Sequence, residues 1–300
     1  MDFEKYSKET IGLINKEVKS LLNEWRREVG NIDKSLLPLV DKFIKACEGG
    51  KRIRGNLVVL GYQLARHLPG VKAHLEGGNT IRGDLDGKAI LRVAAAYEIL
   101  HTAILAHDDI IDKSLLRRGQ SSLYQALGGD HRGISLAICL ADAGFFLAVK
   151  IISEANFPDK EKIEALRWFS KTMLDTAMGQ ILDIEKGESL TVAKYKTAQY
   201  SVSGPLILGA ILGGGYHLEG VKAHLPGDLE KFGESLGIAF QIQDDILDGE
   251  VNWLGGVNSA KKEAERYKNR AMKIVPEITK DKKMSKLLKH LAESLVERAK

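Results

Sequence analysis

The sequence predicts an all-α protein, and three observations carry that prediction. Only six prolines occur in 300 residues, few runs alternate β-branched with polar residues, and apolar positions recur at helical spacing in segment after segment. The spacing predicts helices over 2–29, 33–47, 51–68, 88–113, 119–128, 132–155, 159–187, 191–213, 227–250, 259–274 and 281–299. The helix from Lys88 carries Ile90, Val93, Ala94, Tyr97, Leu100, Ile104 and Leu105 in a stripe too wide for a surface helix, so it is expected inside a bundle of long helices. Gly49-Gly50, Gly128-Gly129 and Gly213-Gly214-Gly215 mark helix ends. No polar linker splits the chain, which reads as one domain over 1–300.

A hydrophobic fraction of 44% allows a large core, and a net charge of +4 is too mild to indicate nucleic acid. There is no sustained Lys/Arg run of the kind that tracks DNA or an anionic membrane. Cys47 and Cys139 stand far apart without metal-ligand spacing, which suits a reducing cytoplasm. The charged N-terminus lacks an apolar signal core, and no apolar stretch is expected to be long enough to span a bilayer. A soluble, cytoplasmic chain with no transmembrane segment is the expectation. A near-repeat stands apart from these patterns: HLPGVKAHLEG at 67–77 and HLEGVKAHLPG at 217–227 agree at nine of eleven positions. Both follow a predicted helix, and both read as similar connectors with no chemistry of their own.

The chemistry lies elsewhere. HDDIID puts Asp108, Asp109 and Asp112 on a helix, where residues four apart share a face. Two carboxylates side by side next to an apolar stripe repel one another, and a hard divalent cation resolves the conflict. Mg²⁺ takes one or two carboxylates and completes its shell with water and phosphate oxygens. QDDILD repeats the pattern at Asp244, Asp245 and Asp248. With 18 aspartates in 300 residues, chance supplies roughly 0.06 copies of DDxxD, so two copies are not compositional accident. Cations are available to meet phosphates. Lys51 and Arg54 are expected on one face at a helix start, where free N–H groups favour anions. Arg117 and Arg118 are placed one to two turns beyond Asp112, and Lys196-Thr197 adds a charge and a hydroxyl.

These segments together resemble the trans-polyprenyl diphosphate synthase family, which includes farnesyl and geranylgeranyl diphosphate synthases. The resemblance covers about residues 33–250 and rests on GGKRIR at 49–54, EILHTAILAHDDIID at 98–112, LRRG at 116–119, GQILDIE at 179–185, KT at 196–197 and FQIQDDILD at 240–248. It implies an isoprenoid synthase-type bundle of long helices around a central cavity, usually homodimeric. The implied reaction is head-to-tail 1′-4 condensation of isopentenyl diphosphate with an allylic diphosphate (dimethylallyl, geranyl or farnesyl). Two or three Mg²⁺ ions, bridged by the substrate diphosphate, are implied as cofactors. By the same resemblance Asp108, Asp109 and Asp112 are metal ligands from the first motif, and Asp244, Asp245 and Asp248 from the second. Arg117, Lys196, Thr197 and Gln241 match contacts to the allylic diphosphate; Lys51, Arg54, His101 and Arg118 match contacts to isopentenyl diphosphate. Asp108, Asp112, Arg117, Lys196 and Asp244 are the residues expected to carry catalysis.

Two departures from the family pattern stand out. Gly55 occupies the place of a usual proline. After Asp248 the chain runs directly into GEVNWLGGVNSAKKEAERYKNRA, so a lysine-bearing loop is absent, and Lys261 and Lys262 are the candidates to take over its contact. The resemblance also implies that side chains one and more turns before the first aspartate floor the product cavity; Ala103, five residues before Asp108, would leave it open, followed by Ile104, Leu100 and Tyr97 on the same helix. A product of C20 or longer is expected, with Tyr97 as a floor. Two other readings remain: a catalytically impaired partner subunit of a heteromeric synthase, favoured by the absent loop, and a class I terpene cyclase, disfavoured by Lys51, Arg54 and Arg118.

Overall fold

The computed structural model describes residues 3–67, 85–215, 225–249 and 256–297. In chain order the elements are α1 (Phe3–Ile32), a 3₁₀ turn (Lys34–Leu36), α2 (Leu37–Ala46), α3 (Ile53–Arg66), α4 (Leu85–Ile111), β1 (Leu116–Arg117), β2 (Gln120–Ser121), α5 (Leu123–Ala126), α6 (His131–Glu154), α7 (Asp159–Ile184), α8 (Ser189–Val192), a π-helix (Ala193–Ser203), α9 (Gly204–Leu212), α10 (Leu225–Asp248), α11 (Gly256–Ile278) and α12 (Lys282–Val296). Two compact units divide them: Thr10–Gly55 with Leu85–Asn156, and Met1–Glu9 with Asn56–Asp84 and Phe157–Lys300.

In the unit holding the first aspartate segment, α4 is the core helix. Ile90, Val93, Ala94, Tyr97, Ile99 and Leu100 are all almost fully buried, as the wide stripe requires. It packs along α6 through small residues: a Cβ at Gly144 of α6 would lie 3.1 Å from the Ala103 methyl and 2.6 Å from the Phe43 ring. Phe43 in turn takes the edge of Trp25 at 5.7 Å between ring centres. In the other unit α10 packs against α11 and the π-helix. Close backbone approach again depends on glycine, because a Cβ at Gly61 of α3 would collide with the Leu206 carbonyl of α9, and one at Gly209 with the Val58 carbonyl.

Several sequence expectations are corrected. The segment 119–128 is not one helix. Arg118 (φ 53°) and Gly119 (φ 74°) form the two-residue turn of a hairpin pairing Leu116 with Ser121 and Arg117 with Gln120, and only Leu123–Ala126 is helical. Positive φ at both turn residues matches the right-handed twist of the strands, and an -Arg-Gly- pair accepts it at little cost. The stretch 191–213 is helical throughout but widens into a π-helix over eleven residues. Pro205 supplies a reason: it lacks an N–H and its ring crowds the carbonyl four residues back, which a wider turn relieves. The expectation that no stretch could span a bilayer is not met, since Gly87–Ile111 and His131–Glu154 are long and apolar enough. Isolated charges such as Glu98 and Asp142 sit inside these helices without ending the apolar run; the first helix is mostly buried within the protein. The near-repeat, apart from its ends at His67 and Leu225–Gly227, and residues 250–255 after the second aspartate segment lie outside the described residues.

Candidate active site

The first aspartate segment closes α4. The Asp112 N–H donates to the Asp108 carbonyl at 2.9 Å, so Asp112 stays one turn from Asp108 although the regular helix ends at Ile111. The hairpin then returns Arg117 to this turn. Its Nε donates to Asp109 Oδ1 at 2.8 Å and its Nη2 to Asp108 Oδ2 at 3.2 Å, so one guanidinium grips two carboxylates. Asp109 is buried, and burial holds its carboxyl above the ordinary range despite the opposing pull of Arg117. Arg117 loses solvation, yet the hydrogen bonds and charge of Asp109 and Asp108 outweigh that loss and raise it. A cavity of about 80 Å³ opens beside this cluster, lined among others by Lys45, Glu48, Asp109, Arg117, Arg118 and Ser122.

The basic loop is built differently from the expectation. Helix α3 begins at Ile53, so Lys51 precedes it and does not share a helical face with Arg54. Gly49 and Gly50 adopt φ 71° and 88°, and a Cβ at Gly50 would lie 2.8 Å from the Arg118 guanidinium, so glycine leaves that side chain its place. Arg52, left-handed at φ 48° and only 5% exposed, turns inward. It donates to Asn15 Oδ1 and to the Cys47 carbonyl, both at 2.7 Å, and pairs with Glu98 at 3.6 Å. Cys47 itself is sealed in, and burial pushes its thiol up to about 12. The other Glu98 oxygen accepts the Gly55 N–H at 2.7 Å. Here lies the reason for glycine in place of proline: proline has no N–H to give, and a side chain at 55 would press on the Ala94 carbonyl at 3.0 Å. Arg54 donates to His101 Nε2 at 3.2 Å. Desolvation first, and then the charges of Arg54, Arg118, Arg117 and Arg52, hold this imidazole well below its usual value, so it is neutral and accepts at Nε2. Lys51 remains exposed.

The second aspartate segment ends α10 in the other unit. Thr197 of the π-helix donates to Gln241 Oε1 at 2.6 Å, and Gln241 Nε2 donates to Asp245 Oδ1 at 2.6 Å. This relay joins three of the expected site residues. Lys196 is held by Asp183 of α7 at 2.5 Å. Asp244 is half-buried and Asp248 exposed; Lys261 and Lys262 stand exposed on the early turns of α11. Of the residues before Asp108, Tyr97, Leu100 and Ala103 are fully buried and Ile104 only half so. The Ala103 methyl faces Gly144, a packing reason for a small side chain there. Sequence reasoning passed over Arg52, Glu98 and Asp183. An acid inside an apolar stripe was the available signal for Glu98; nothing in the sequence marked Arg52 as inward-facing.

Two outcomes are expected. Gly55→Pro leaves a buried Glu98 oxygen without its donor, so a denaturant titration should show about 1–3 kcal/mol lost stability. His101 takes a proton in the unfolded chain near its ordinary value of 6.5 but resists it when folded. Stability is therefore fully present above that pH and falls as pH drops below it, by up to about 1.4 kcal/mol per unit. Denaturation at about pH 7.5 and pH 5.5 should show this loss, and His101→Gln should flatten it.

Comparison with known proteins completes the description. The polyprenyl synthetase profile matches residues 36–252. The chain is 27% identical over 261 residues to solanesyl diphosphate synthase 1, chloroplastic, of Arabidopsis thaliana, covering 82% of this chain and 57% of that protein. It is 29% identical over 256 residues to the geranylgeranyl diphosphate synthase of Sulfolobus acidocaldarius, covering 82% of this chain and 66% of that one. The chain thus spans about half the length of the first curated relatives it matches, at 57%, 53% and 47% of each. In structure it resembles a geranylgeranyl pyrophosphate synthase from Corynebacterium glutamicum, complexed with isoprenyl diphosphate and magnesium, at a TM-score of 0.80 and 19% identity, each chain covered in full. That likeness gives the all-α isoprenoid synthase fold, and the profile match over most of the chain gives the family: this chain belongs to the polyprenyl synthetase family.

Proposed function

We propose that the chain is a Mg²⁺-dependent prenyltransferase that condenses isopentenyl diphosphate head-to-tail with an allylic diphosphate, giving a trans-prenyl diphosphate of C20 or longer. The observation that carries this reading is the first aspartate segment with its cations: two carboxylates one turn apart, a buried third, and four guanidiniums from Arg52, Arg54, Arg117 and Arg118 grouped about a neutral His101.

The residues fit Mg²⁺. In the structure a cation, Arg117, already bridges Asp108 and Asp109, and the donors are hard carboxylate oxygens. Among the described residues no three such acids converge on one point, which suits an ion that draws the rest of its shell from water and phosphate. Asp108, Asp109 and Asp112, and from the second segment Asp244, Asp245 and Asp248, would hold the two or three ions. When bound, Mg²⁺ supplies charge stabilisation for the departing diphosphate. Arg117, Lys196, Thr197 and Gln241 bind the allylic diphosphate and stabilise charge as its C–O bond breaks. Lys51, Arg54 and Arg118 hold isopentenyl diphosphate. His101, kept neutral, accepts from Arg54 and fixes that guanidinium in place. The isopentenyl double bond attacks the allylic C1, the new C–C bond forms, and the proton lost from the adduct passes to the released diphosphate. Ile104, one turn before Asp108 and partly accessible, is the chain-length position among the four expected, with Leu100 and Tyr97 behind it.

The test is product analysis. Purified chain, Mg²⁺, labelled isopentenyl diphosphate and dimethylallyl, geranyl or farnesyl diphosphate should yield elongated diphosphates of C20 or more by mass spectrometry, and Asp108→Asn should lower kcat at least 100-fold. Hydrocarbon from one allylic substrate, or no turnover, would overturn the reading.

The reading includes a homodimer in a reducing, cytoplasmic setting. Its support is two exposed apolar stripes, Ile138, Phe146 and Val149 on α6 and Ile163, Leu174, Met178 and Ile181 on α7, each on one helical face, together with two free cysteines. Light scattering after gel filtration should give twice the chain mass, and Phe146→Lys with Leu174→Lys should halve it.

A further inference from the structure

The π-helix Ala193–Ser203 is packed into a cradle that admits no side chain at three points. A Cβ at Gly179 of α7 would fall inside the Tyr195–Lys196 backbone. One at Gly237 of α10 would lie 2.5 Å from both Cα and Cβ of Ala198, and one at Gly233 would lie 2.5 Å from Ser203 Cα. Two helices thus touch the π segment backbone to backbone, at its start, middle and end.

The wide turn is itself stabilised. The Gly204 N–H donates five residues back to the Gln199 carbonyl, and the Ser203 hydroxyl donates to the Ala198 and Gln199 carbonyls at 3.3 Å. Trp168 Nε1 of α7 caps the Gly204 carbonyl at 3.1 Å. Each i→i+5 closure places one more residue in the turn than the α ladder does, so side-chain phase shifts progressively along the segment. At its head that phase sends Lys196 to Asp183 of α7 and Thr197 to Gln241 of α10, which holds Asp245. The two adjacent side chains reach two different helices. On a regular helix neighbours are about 100° apart as well, but the close backbone approach at Gly179 and Gly237 sets their depth.

We propose that Gly179, Gly233 and Gly237, through the π-helix they seat, are positioning residues that set Lys196 against Asp183 and Thr197 against the second aspartate segment for the allylic diphosphate. This assignment rests on the prenyl-transfer reading above. A methyl at either Gly179 or Gly237 pushes the π segment away from its helix and breaks the Thr197–Gln241–Asp245 relay, whereas Arg54 is held by His101 of α4.

The experiment uses the full chain with Mg²⁺. Calorimetry with the thiolo analogue of geranyl diphosphate, which does not ionise, is combined with steady-state KM values for both substrates. Gly179→Ala and Gly237→Ala should weaken analogue binding and raise the allylic KM at least tenfold, with the isopentenyl KM within twofold. Gly209→Ala crowds Val58 in the same unit but away from the π-helix, and should cost stability without that asymmetry. Ser203→Ala removes only the hydroxyl that fills the freed carbonyls; it should fold and raise the allylic KM about threefold. Unchanged analogue binding in folded glycine variants, with an unchanged allylic KM in Ser203→Ala, overturns the assignment, and so does equal asymmetry in Gly209→Ala. If the unaltered chain neither elongates nor binds the analogue, the functional reading fails first, and this one with it.

Discussion

The Glu98 carboxylate is the constraint around which the first-motif unit is arranged. It sits almost fully buried in the middle of the core helix, where an unpaired charge would be prohibitive. One oxygen takes the Gly55 N–H and the other faces Arg52, and satisfying both draws the GGKRIR loop down onto α4. Arg52 must then adopt a left-handed backbone to point inward, while Lys51 stays exposed and Arg54 is held by His101. A buried pair of this kind contributes little net stability, because desolvation offsets much of the Coulomb gain. Its effect is on geometry: it fixes where the neighbouring cations stand.

Four guanidiniums in one place repel one another, and the proton affinities of Arg117 and Arg118 follow who compensates each. Arg117 has Asp108 and Asp109 and is raised; Arg118, desolvated and beside Arg52 and Arg54, is lowered. His101 among them stays neutral for the same reason. Such a cluster of cations favours an anion, and in the proposed reaction a diphosphate would meet it. Arg117 already supplies cationic charge to Asp108 and Asp109.

The second aspartate segment relies on a different physics. Its hydrogen-bond relay depends on how near the π-helix approaches α10, and glycine sets that distance. Electrostatics places the first-motif residues, whereas the second-motif relay depends on steric fit.

Much was legible in the sequence. The helical period, the wide stripe of α4 and the two aspartate segments all follow from local spacing, because 3.6-residue periodicity and charge type are carried by the sequence itself. What sequence could not decide depended on contacts between distant segments. The hairpin that returns Arg117 to Asp109, the inward turn of Arg52, the Lys196–Asp183 pair and the depth of the π-helix are each settled by which groups must be buried together and which backbones can approach. Gly55 shows the division most plainly: its departure from the family pattern was visible at once, but its reason, an N–H owed to Glu98 forty-three residues away, exists only in the folded chain.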